Sequence, residues 1–308
     1  EGRRSAHAIR ALLASRDYQE VLTFSFVEAE WEADFAGNAA PIRLLNPIAS
    51  QMSVMRSSLV GSLVATARYN VNRKAPRVRV FEIGRVFLPT PGTAAAPLAV
   101  EGVTQPLRVG GLALGFALDE QWGAEKRPAD FFDIKRDVES LLVPREAAFE
   151  QAEHPALHPG RSARVVLDGA TIGWLGELHP RWQRKYELPV PAVVFELELE
   201  PLLAVAVPQY EEVSRFPPVL RDRAVIVPDT VSAGDLIDAV KSFRPGLFRD
   251  VTLFDLYRGK GIDEGVKSLA FRVVMQDTAR TLTDAEVDAA MTELDVMLAA
   301  RFGARRRG

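Results

Sequence analysis

The chain has 308 residues, of which 47% are hydrophobic and 26% charged, with a formal net charge of −3 and no cysteine. This composition predicts a cytoplasmic globular protein of at least two domains, and it excludes disulfide scaffolds, thiolate nucleophiles and Cys-ligated zinc. The charge excludes a chain-wide basic field for nucleic acid, and no apolar run approaches the roughly 20 residues of a membrane span. Because residue 1 is Glu rather than Met, we expect a segment of a longer protein.

The first two thirds of the chain predict an antiparallel sheet with flanking helices. Apolar residues at helical spacing predict helices over 3–15, 59–72 and 130–142, and a short helix through Trp182. β-branched and alternating patterns predict strands over 21–27, 42–45, 78–87, 107–118, 163–167, 171–177 and 193–199. Asp168-Gly169 is typical of a hairpin turn. Since strands and helices do not alternate as in a dinucleotide-binding fold, the expected class is α+β.

The remaining third predicts a ferredoxin-like β-α-β-β-α-β unit. A lapse of pattern over 201–213, with Pro208 and then Pro217-Pro218, predicts a boundary between domains 1–207 and 214–307. The predicted elements are a strand over 220–227, a helix over 232–243, strands over 251–257 and 267–276, a helix starting at Thr283, and an edge strand over 304–307. Gly259, Gly261 and Gly265 predict a hairpin loop that needs positive φ.

The sequence shows no catalytic constellation. It contains no phosphate-binding P-loop, nucleophile elbow or usable dinucleotide motif, and Glu82 has no second carboxylate beside it in sequence. The candidates for metal ligands are His154, His158, His179, Asp130, Asp133, Asp137 and Glu139. A proline follows each histidine, which disfavours a helix aligning them, and the carboxylates suit the start of a helix. We therefore expect structural roles for these residues and no metal site.

Arginines in the last third predict an RNA-binding face. From residue 214 onward, 15 Lys and Arg face 14 Asp and Glu, a net charge of +1, so the rest of the chain carries −4. The apolar residues of the 267–276 strand alternate with Arg272, and Ala224 and Ile226 are expected in the core, with Arg223 opposite. Arg223 and Arg272 would then share an open sheet face. The hairpin end of this face would hold Tyr257, Arg258 and Lys260. Cations and an aromatic ring on an open sheet suit single-stranded RNA, although a solvated face with scattered arginines is the alternative.

Many short motifs occur in a single order along the chain. They are Leu45-Asn-Pro-Ile, Met55-Arg-Ser-Ser-Leu, Asn70 to Arg73, Phe81-Glu-Ile-Gly, Phe132-Asp-Ile-Lys, His158-Pro-Gly-Arg-Ser-Ala, Ile172-Gly-Trp-Leu-Gly-Glu-Leu-His-Pro, Ser214-Arg-Phe-Pro, Arg221-Asp-Arg-Ala, Phe254-Asp-Leu-Tyr-Arg-Gly, Lys267-Ser-Leu-Ala and Arg280-Thr-Leu-Thr-Asp. In this order they resemble the C-terminal part of the β subunit of bacterial phenylalanyl-tRNA synthetase. Arg223 and the basic end at 305–307 are small departures from the family pattern.

The resemblance implies a non-catalytic, class II synthetase-like module over 1–207 and a ferredoxin-fold anticodon-binding domain over 214–307. It implies a catalytic α subunit and tRNA(Phe) as partners, in an (αβ)₂ heterotetramer that uses ATP and magnesium for aminoacylation. This segment would hold no cofactor, and further β-subunit modules would lie upstream.

Two sets of site residues follow as expectations. The expected tRNA-binding residues are Arg221, Arg223, Tyr257, Arg258, Lys260, Lys267, Arg272 and Arg280. The expected subunit-interface residues are Arg56, Asn70 and Arg73, on or beside the helix predicted over 59–72. A small-molecule-binding regulatory protein with a ferredoxin-like domain is the alternative function, and a free-standing class II-like ligase is another.

Overall fold

The computed structural model describes residues 2–95, 100–205, 207, 210 and 213–307. Contacts divide the chain into two compact units, Glu1–Val207 and Pro208–Gly308. Part of the predicted boundary over 201–213 lies outside the described residues. Residues 96–99, which follow the strand predicted over 78–87, also lie outside them. Among the described residues, no helix is long and apolar enough to cross a membrane.

The first unit is a seven-stranded sheet with helices on both faces. Its helices are α1 (Ala6–Ser15), α2 (Ala29–Trp31), α3 (Val60–Asn72), α4 (Phe131–Leu142), α5 (Pro180–Lys185) and α6 (Leu199–Leu203), with a π-helix at Glu32–Ala36 and a 3₁₀ turn at Ser50–Met52. Its strands are β1 (Gln19–Glu20), β2 (Phe26–Val27), β3 (Val54–Met55), β4 (Val78–Arg85), β5 (Leu88–Pro89), β6 (Val103–Thr104), β7 (Leu107–Leu114), β8 (Ala148–Gln151), β9 (Leu157–Leu167), β10 (Ala170–Leu178) and β11 (Ala192–Glu198). The large sheet has the order β1-β4-β7-β11-β10-β9-β8.

The pairing in this sheet is antiparallel except at one edge. β1 runs parallel to β4, whereas β4, β7, β11, β10, β9 and β8 pair antiparallel in turn. The α+β class is confirmed, although the sheet is mixed rather than wholly antiparallel. Two predicted strands are wrong in extent. Only Phe26–Val27 of 21–27 pairs as a strand, because its partner β3 is two residues long, and 42–45 keeps a single bridge from Arg43 to Val54.

Alternation along the strands builds two apolar layers. Phe81, Val109 and Phe195 face α1 and α4, whereas Leu112 and Val194 on the same strands face α3. The sheet is therefore buried on both faces, which explains why its strands read as nearly continuous apolar runs. α4 starts with a capping box between Asp130 and Asp133, as a carboxylate-rich helix start predicts.

The second unit is a four-stranded antiparallel sheet covered by two helices. Its elements are β12 (Val219–Pro228), α7 (Ala233–Phe243), β13 (Phe248–Tyr257), β14 (Val266–Met275), α8 (Asp284–Phe302) and β15 (Arg305–Arg306), and the strand order is β13-β14-β12-β15. Thr283 and Glu286 form a capping box for α8. The glycines of the β13–β14 loop have the positive φ angles predicted for them: Gly259 152°, Gly261 90° and Gly265 78°.

The side-chain direction predicted for β12 is wrong. Val225 and Val227, not Ala224 and Ile226, join the core beneath the helices. Each alternating set on β12 combines charged residues with apolar ones, so the pattern alone does not fix the strand's face. An error of one residue reverses every side chain. The register pairs Arg223 with buried Phe271 and Asp222 with Arg272. Arg223 and Arg272 therefore project from opposite faces of the sheet.

Candidate nucleic-acid interface

Both helices of the second unit lie on one face of its sheet. Leu269, Phe271, Val273 and Met275 of β14 point into the core that α7 and α8 complete. The other face, here called the open face, is built from the alternate positions of the strands. It comprises Asp222, Ala224 and Ile226 of β12, Thr252, Asp255 and Tyr257 of β13, and Ser268, Ala270 and Arg272 of β14, with Phe254 at the bulge between Leu253 and Asp255. Within this unit, no helix packs on the open face among the described residues.

Arg272 lies near the middle of the open face and is paired with an acid. Its Nε and Nη2 donate to the two carboxylate oxygens of Asp222 at 2.7 and 2.8 Å. Hydrogen bonding to Arg272 holds the pKa of Asp222 below its ordinary value. The guanidinium also lies 5.8 Å from the ring of Phe254, whose side chain is largely exposed. This part of the face therefore offers an exposed aromatic ring beside a fork-shaped donor whose charge is balanced.

Three predicted tRNA-binding residues lie on the helix side of the sheet. Arg223 places Nε 3.0 Å from Oδ1 of Asp295 on α8, as an ion pair without hydrogen-bond alignment. Arg221 pairs with Asp284 at the start of the same helix. Lys267 is 6% exposed, donates to the backbone carbonyl of Asp229, and has a pKa lowered by burial. The prediction that Arg223 shares the open face is wrong. Arg221 and Lys267 occupy strand positions whose side chains also point to the helix side.

At the hairpin end, contacts hold two of the residues predicted there, Tyr257 and Arg258. Tyr257 donates through its hydroxyl to the backbone carbonyl of Lys260 at 3.2 Å, which ties the ring to the glycine-rich loop. Arg258 pairs with Asp229 at 3.0 Å. Arg280 lies elsewhere, at the start of α8, where it pairs with Glu286 and lowers the pKa of that carboxyl to about 2.

Sequence reasoning missed the contribution of the last strand. β15 pairs antiparallel with β12, and Arg305 lies opposite Ile226. Arg307 follows with the same alternation and places its guanidinium over the Tyr257 ring. The available signal was the run of three arginines after α8, but only the pairing with β12 shows which of them reach the open face.

The predicted subunit-interface residues fall into two groups. Arg56 is 2% exposed and forms a salt bridge with Glu82, so its prediction as a surface residue is wrong. Asn70 donates to a backbone carbonyl within α3, and Arg73 stacks on the Tyr69 ring at 3.4 Å. Arg56 appeared to belong to the polar flank of α3 only because its buried partner lies 26 residues away in sequence.

An apolar groove of about 350 Å³ runs beside α3. Phe24, Trp31 and Tyr69 contribute its aromatic walls, and Phe24 and Tyr69 are 65% and 56% exposed. The neighbouring segment over 42–55 hydrogen-bonds along β2 and carries the fully exposed side chains of Leu45 and Ile48. Exposed apolar side chains at this density are typical of a protein interaction surface.

Asp137 and His154, two of the residues considered as metal ligands, have structural contacts. Asp137 pairs with Arg79 and accepts from Tyr18, and His154 stacks on Trp174 at 3.8 Å. Burial, with Arg108 nearby, lowers the pKa of His154 to about 4. Among the described residues, no group of three or more His, Asp or Glu side chains is placed to hold a metal ion.

Three buried carboxylates hold the segment that precedes α3. Glu32 accepts from the backbone N–H of Ser57, Glu196 accepts from that of Leu59 at 2.6 Å, and Glu82 binds Arg56. Burial raises the pKa of Glu196. Glu196 and the Ser58 hydroxyl, which accepts from the backbone N–H of Val60 at 3.2 Å, thus hold the start of α3. The three acids are occupied by structural contacts.

Two family models and several curated proteins match the chain. Residues 1–199 match the family model described as the phenylalanyl tRNA synthetase beta chain CLM domain, and residues 214–307 match the ferredoxin-fold anticodon binding domain. The chain is 54% identical to the phenylalanine–tRNA ligase beta subunit of Ralstonia nicotianae and 56% identical to that of Burkholderia lata. Each alignment covers 100% of this chain and 39% of the relative, so the chain spans about two fifths of their length. The chain therefore belongs to the phenylalanyl-tRNA synthetase beta-chain family.

Proposed function

We propose that this chain is the non-catalytic part of a phenylalanine–tRNA ligase β subunit that binds tRNA(Phe) and docks a catalytic α subunit. Residues 1–207 form the docking module and residues 214–307 the tRNA-binding domain of a cytoplasmic (αβ)₂ assembly. The observation that carries the proposal is the open face. It combines Phe254, Tyr257 and arginines in the unit that matches the anticodon-binding family model.

The open face suits unpaired nucleotides better than a duplex. Bases released from pairing stack on aromatic rings, and Phe254 and Tyr257 supply two such rings. Arg272, Arg258 and Lys260 supply donors for phosphate oxygens. Since Arg272 and Arg258 are already paired with acids, phosphates would compete with Asp222 and Asp229 for them.

The chemistry of aminoacylation is assigned to the α subunit. In this proposal ATP and magnesium are bound by the α subunit, and this chain positions tRNA and the partner. The buried carboxylates of Glu32, Glu82 and Glu196 hold backbone N–H groups or arginine. No observation among the described residues favours the small-molecule-binding alternative.

The groove beside α3 is the proposed docking surface for the α subunit. Tyr69 of α3 and Phe24 line the groove, and Arg73, at the C-cap of α3, stacks on the Tyr69 ring. Asn70 lies beside Tyr69 on α3 but does not line the groove. Arg56 does not reach this surface, but it supports it, because its buried contact with Glu82 fixes the segment that leads into α3. Aromatic and arginine side chains at an apolar surface are the residues that most often dominate binding energy.

Charge balance at Arg272 gives a test of the open face. Arg272→Ala leaves Asp222 unpaired and should weaken tRNA(Phe) binding about tenfold, the equivalent of one charge-assisted hydrogen bond. Asp222→Asn frees the guanidinium and should tighten binding, with a log–log salt slope steeper by roughly 0.7 if the contacted RNA is single-stranded. Fluorescence anisotropy across a salt series measures both effects.

The matched control is Arg244→Ala, which breaks an ion pair with Glu293 on the helix side of the same unit. It should leave tRNA affinity and slope unchanged. Equal effects of Arg244→Ala and Arg272→Ala would show that the open face is not the binding surface.

A charge placed in the groove tests the docking surface. Tyr69→Glu should weaken association with the α subunit by roughly 30-fold, the effect of losing an interface residue worth about 2 kcal/mol. Co-expression with the α subunit, followed by affinity capture and analytical ultracentrifugation, measures the association. The control is Phe132→Glu, which changes an exposed phenylalanine on α4, across the sheet from α3. Retained association of the Tyr69→Glu variant would exclude the groove.

A further inference from the structure

The last strand brings two arginines to the edge of the open face. Arg305 lies opposite Ile226 and Arg306 opposite Val225, and the backbone N–H of Arg307 donates to the carbonyl of Ala224 at 2.9 Å. Since side chains alternate along a strand, Arg305 and Arg307 point to the side of Ile226 and Ala224, which is the open face.

The Arg307 side chain covers the ring of Tyr257. Its guanidinium carbon lies 4.9 Å from the ring centroid, and its Nη1 donates to Oγ of Ser268 at 3.4 Å. Tyr257 is itself held from the loop side through its hydroxyl contact with Lys260. A base cannot lie on this side of the ring while the guanidinium occupies it.

Arg307 is held more weakly than Arg272 of the open face and Arg258 at the hairpin end. Arg272 makes two short hydrogen bonds to Asp222, and Arg258 pairs with Asp229 at 3.0 Å. Among the described residues, no carboxylate lies within salt-bridge distance of Arg307. A planar stack and one long hydrogen bond are inexpensive to break, and the charge of Arg307 is not neutralised by an acid.

We propose that Arg307 is a movable cover of the open face, which leaves the Tyr257 ring when an unpaired base stacks there and then binds a phosphate of the same RNA. The proposal rests on the proposed function, because it requires RNA on the open face. The backbone of Arg307 stays anchored to β12, so the displaced guanidinium remains at the site. The cover thereby keeps an otherwise exposed ring occupied in the free protein and supplies a cation in the complex.

Salt dependence separates the two roles of Arg307. The probe is a synthetic stem-loop with the anticodon sequence of tRNA(Phe), titrated into the full chain by anisotropy at several salt concentrations. Arg307→Ala removes the cover and the phosphate contact together, so its log–log slope should be smaller by roughly 0.7. The ratio of variant to wild-type Kd should fall about fivefold for a tenfold rise in salt. The plots of log Kd against log salt concentration for the variant and for wild type should cross. The variant should bind more weakly than wild type at low salt and more tightly at high salt.

Two further variants make the experiment decisive. Arg307→Gln keeps a planar group able to lie on the ring but loses the charge, so it should bind more weakly than wild type at every salt concentration. Arg301→Ala is the control, because Arg301 stacks on Phe302 of α8 at 5.2 Å. It should match wild type. Nitration of Tyr257 by tetranitromethane in the RNA-free protein, followed by peptide mass spectrometry, should rise in Arg307→Ala and much less in Arg307→Gln.

The outcomes distinguish the inference from the function on which it rests. Absence of stem-loop binding by the wild-type chain would contradict the proposed function. Wild-type binding with an Arg307→Ala line that coincides with it would overturn the cover and leave RNA binding intact. If Arg307→Ala bound the stem-loop more weakly than wild type at every salt concentration and the nitration of Tyr257 were unchanged, Arg307 would be a fixed RNA contact. That result would also overturn the cover.

Discussion

Replacing Arg56 with alanine should lower the free energy of unfolding of the first unit by about 3–5 kcal/mol. The guanidinium is buried and donates to Glu82 at 2.8 Å, to Thr23 at 2.8 Å and to the carbonyl of Arg85 at 3.0 Å. Alanine would leave the Glu82 carboxylate, which is 2% exposed, with the Thr23 hydroxyl as its one hydrogen-bond partner in the described part of the chain. Leaving a buried charge unpaired is the costly part of such a change, more than losing the pair itself.

All four tryptophans lie in residues 1–207, so urea unfolding followed by tryptophan fluorescence reports this unit. The surface control is Arg164→Ala, which breaks an ion pair with Glu150 whose side chains are both about half exposed. It should cost under about 1 kcal/mol. The double change Arg56→Met with Glu82→Leu removes both charges and should cost clearly less than Arg56→Ala. If the double change costs as much as the single one, the unpaired charge is not the cause.

Arg56→Ala should also weaken association with the α subunit through the proposed docking surface. Arg56 begins the segment that the buried acids hold, and α3 follows directly with Tyr69 on its exposed side. Loss of Arg56 therefore releases the start of the helix that lines the groove. We expect the variant to associate with the α subunit more weakly even where it remains folded.

Helices and long strands were predictable because their patterns are redundant. α4 combines an apolar stripe with two acids that form its capping box, and β4 and β7 carry long apolar runs. Short edge pairings gave no such signal. β1 has two residues and β8 four, and each is a strand only because a longer neighbour offers free backbone groups.

The candidate site was predictable in part for the same reason. Arg272 lies on a strand whose opposite positions are apolar, so its face followed from alternation. Tyr257 reaches the same face only because of the bulge between Leu253 and Asp255, which alternation does not predict. On β12 either Ala224 and Ile226 or Val225 and Val227 could supply the core side chains. Choosing Ala224 and Ile226 wrongly placed Arg223 on the open face. A cross-strand signal was present, because Asp222 opposite Arg272 makes a favourable charge pair that the alternative register lacks.

Replacing Gly111 with alanine should destabilise the first unit by about 3 kcal/mol, the upper part of the usual range for overpacking. A Cβ at this position on β7 would lie 2.2 Å from Cε1 of Phe195 and 2.5 Å from its Cζ. Phe195 on β11 pairs directly with Gly111, is fully buried, and packs edge-on against Tyr18 with 6.2 Å between ring centroids. Contacts this short do not occur for real Cβ atoms and the ring is buried in the core, so either the sheet or the side chain must distort.

A smaller partner should relieve this clash. Phe195→Leu alone creates a cavity and is expected to destabilise, whereas combined with Gly111→Ala it should cost less than the sum of the two changes. The control is Gly160→Ala on β9, where a Cβ would meet only His158 at an ordinary 3.5 Å. Tryptophan-monitored urea unfolding of the four variants measures the coupling. Additive costs would show that Gly111 is not required by the Phe195 ring, because residues that compete for one volume must couple.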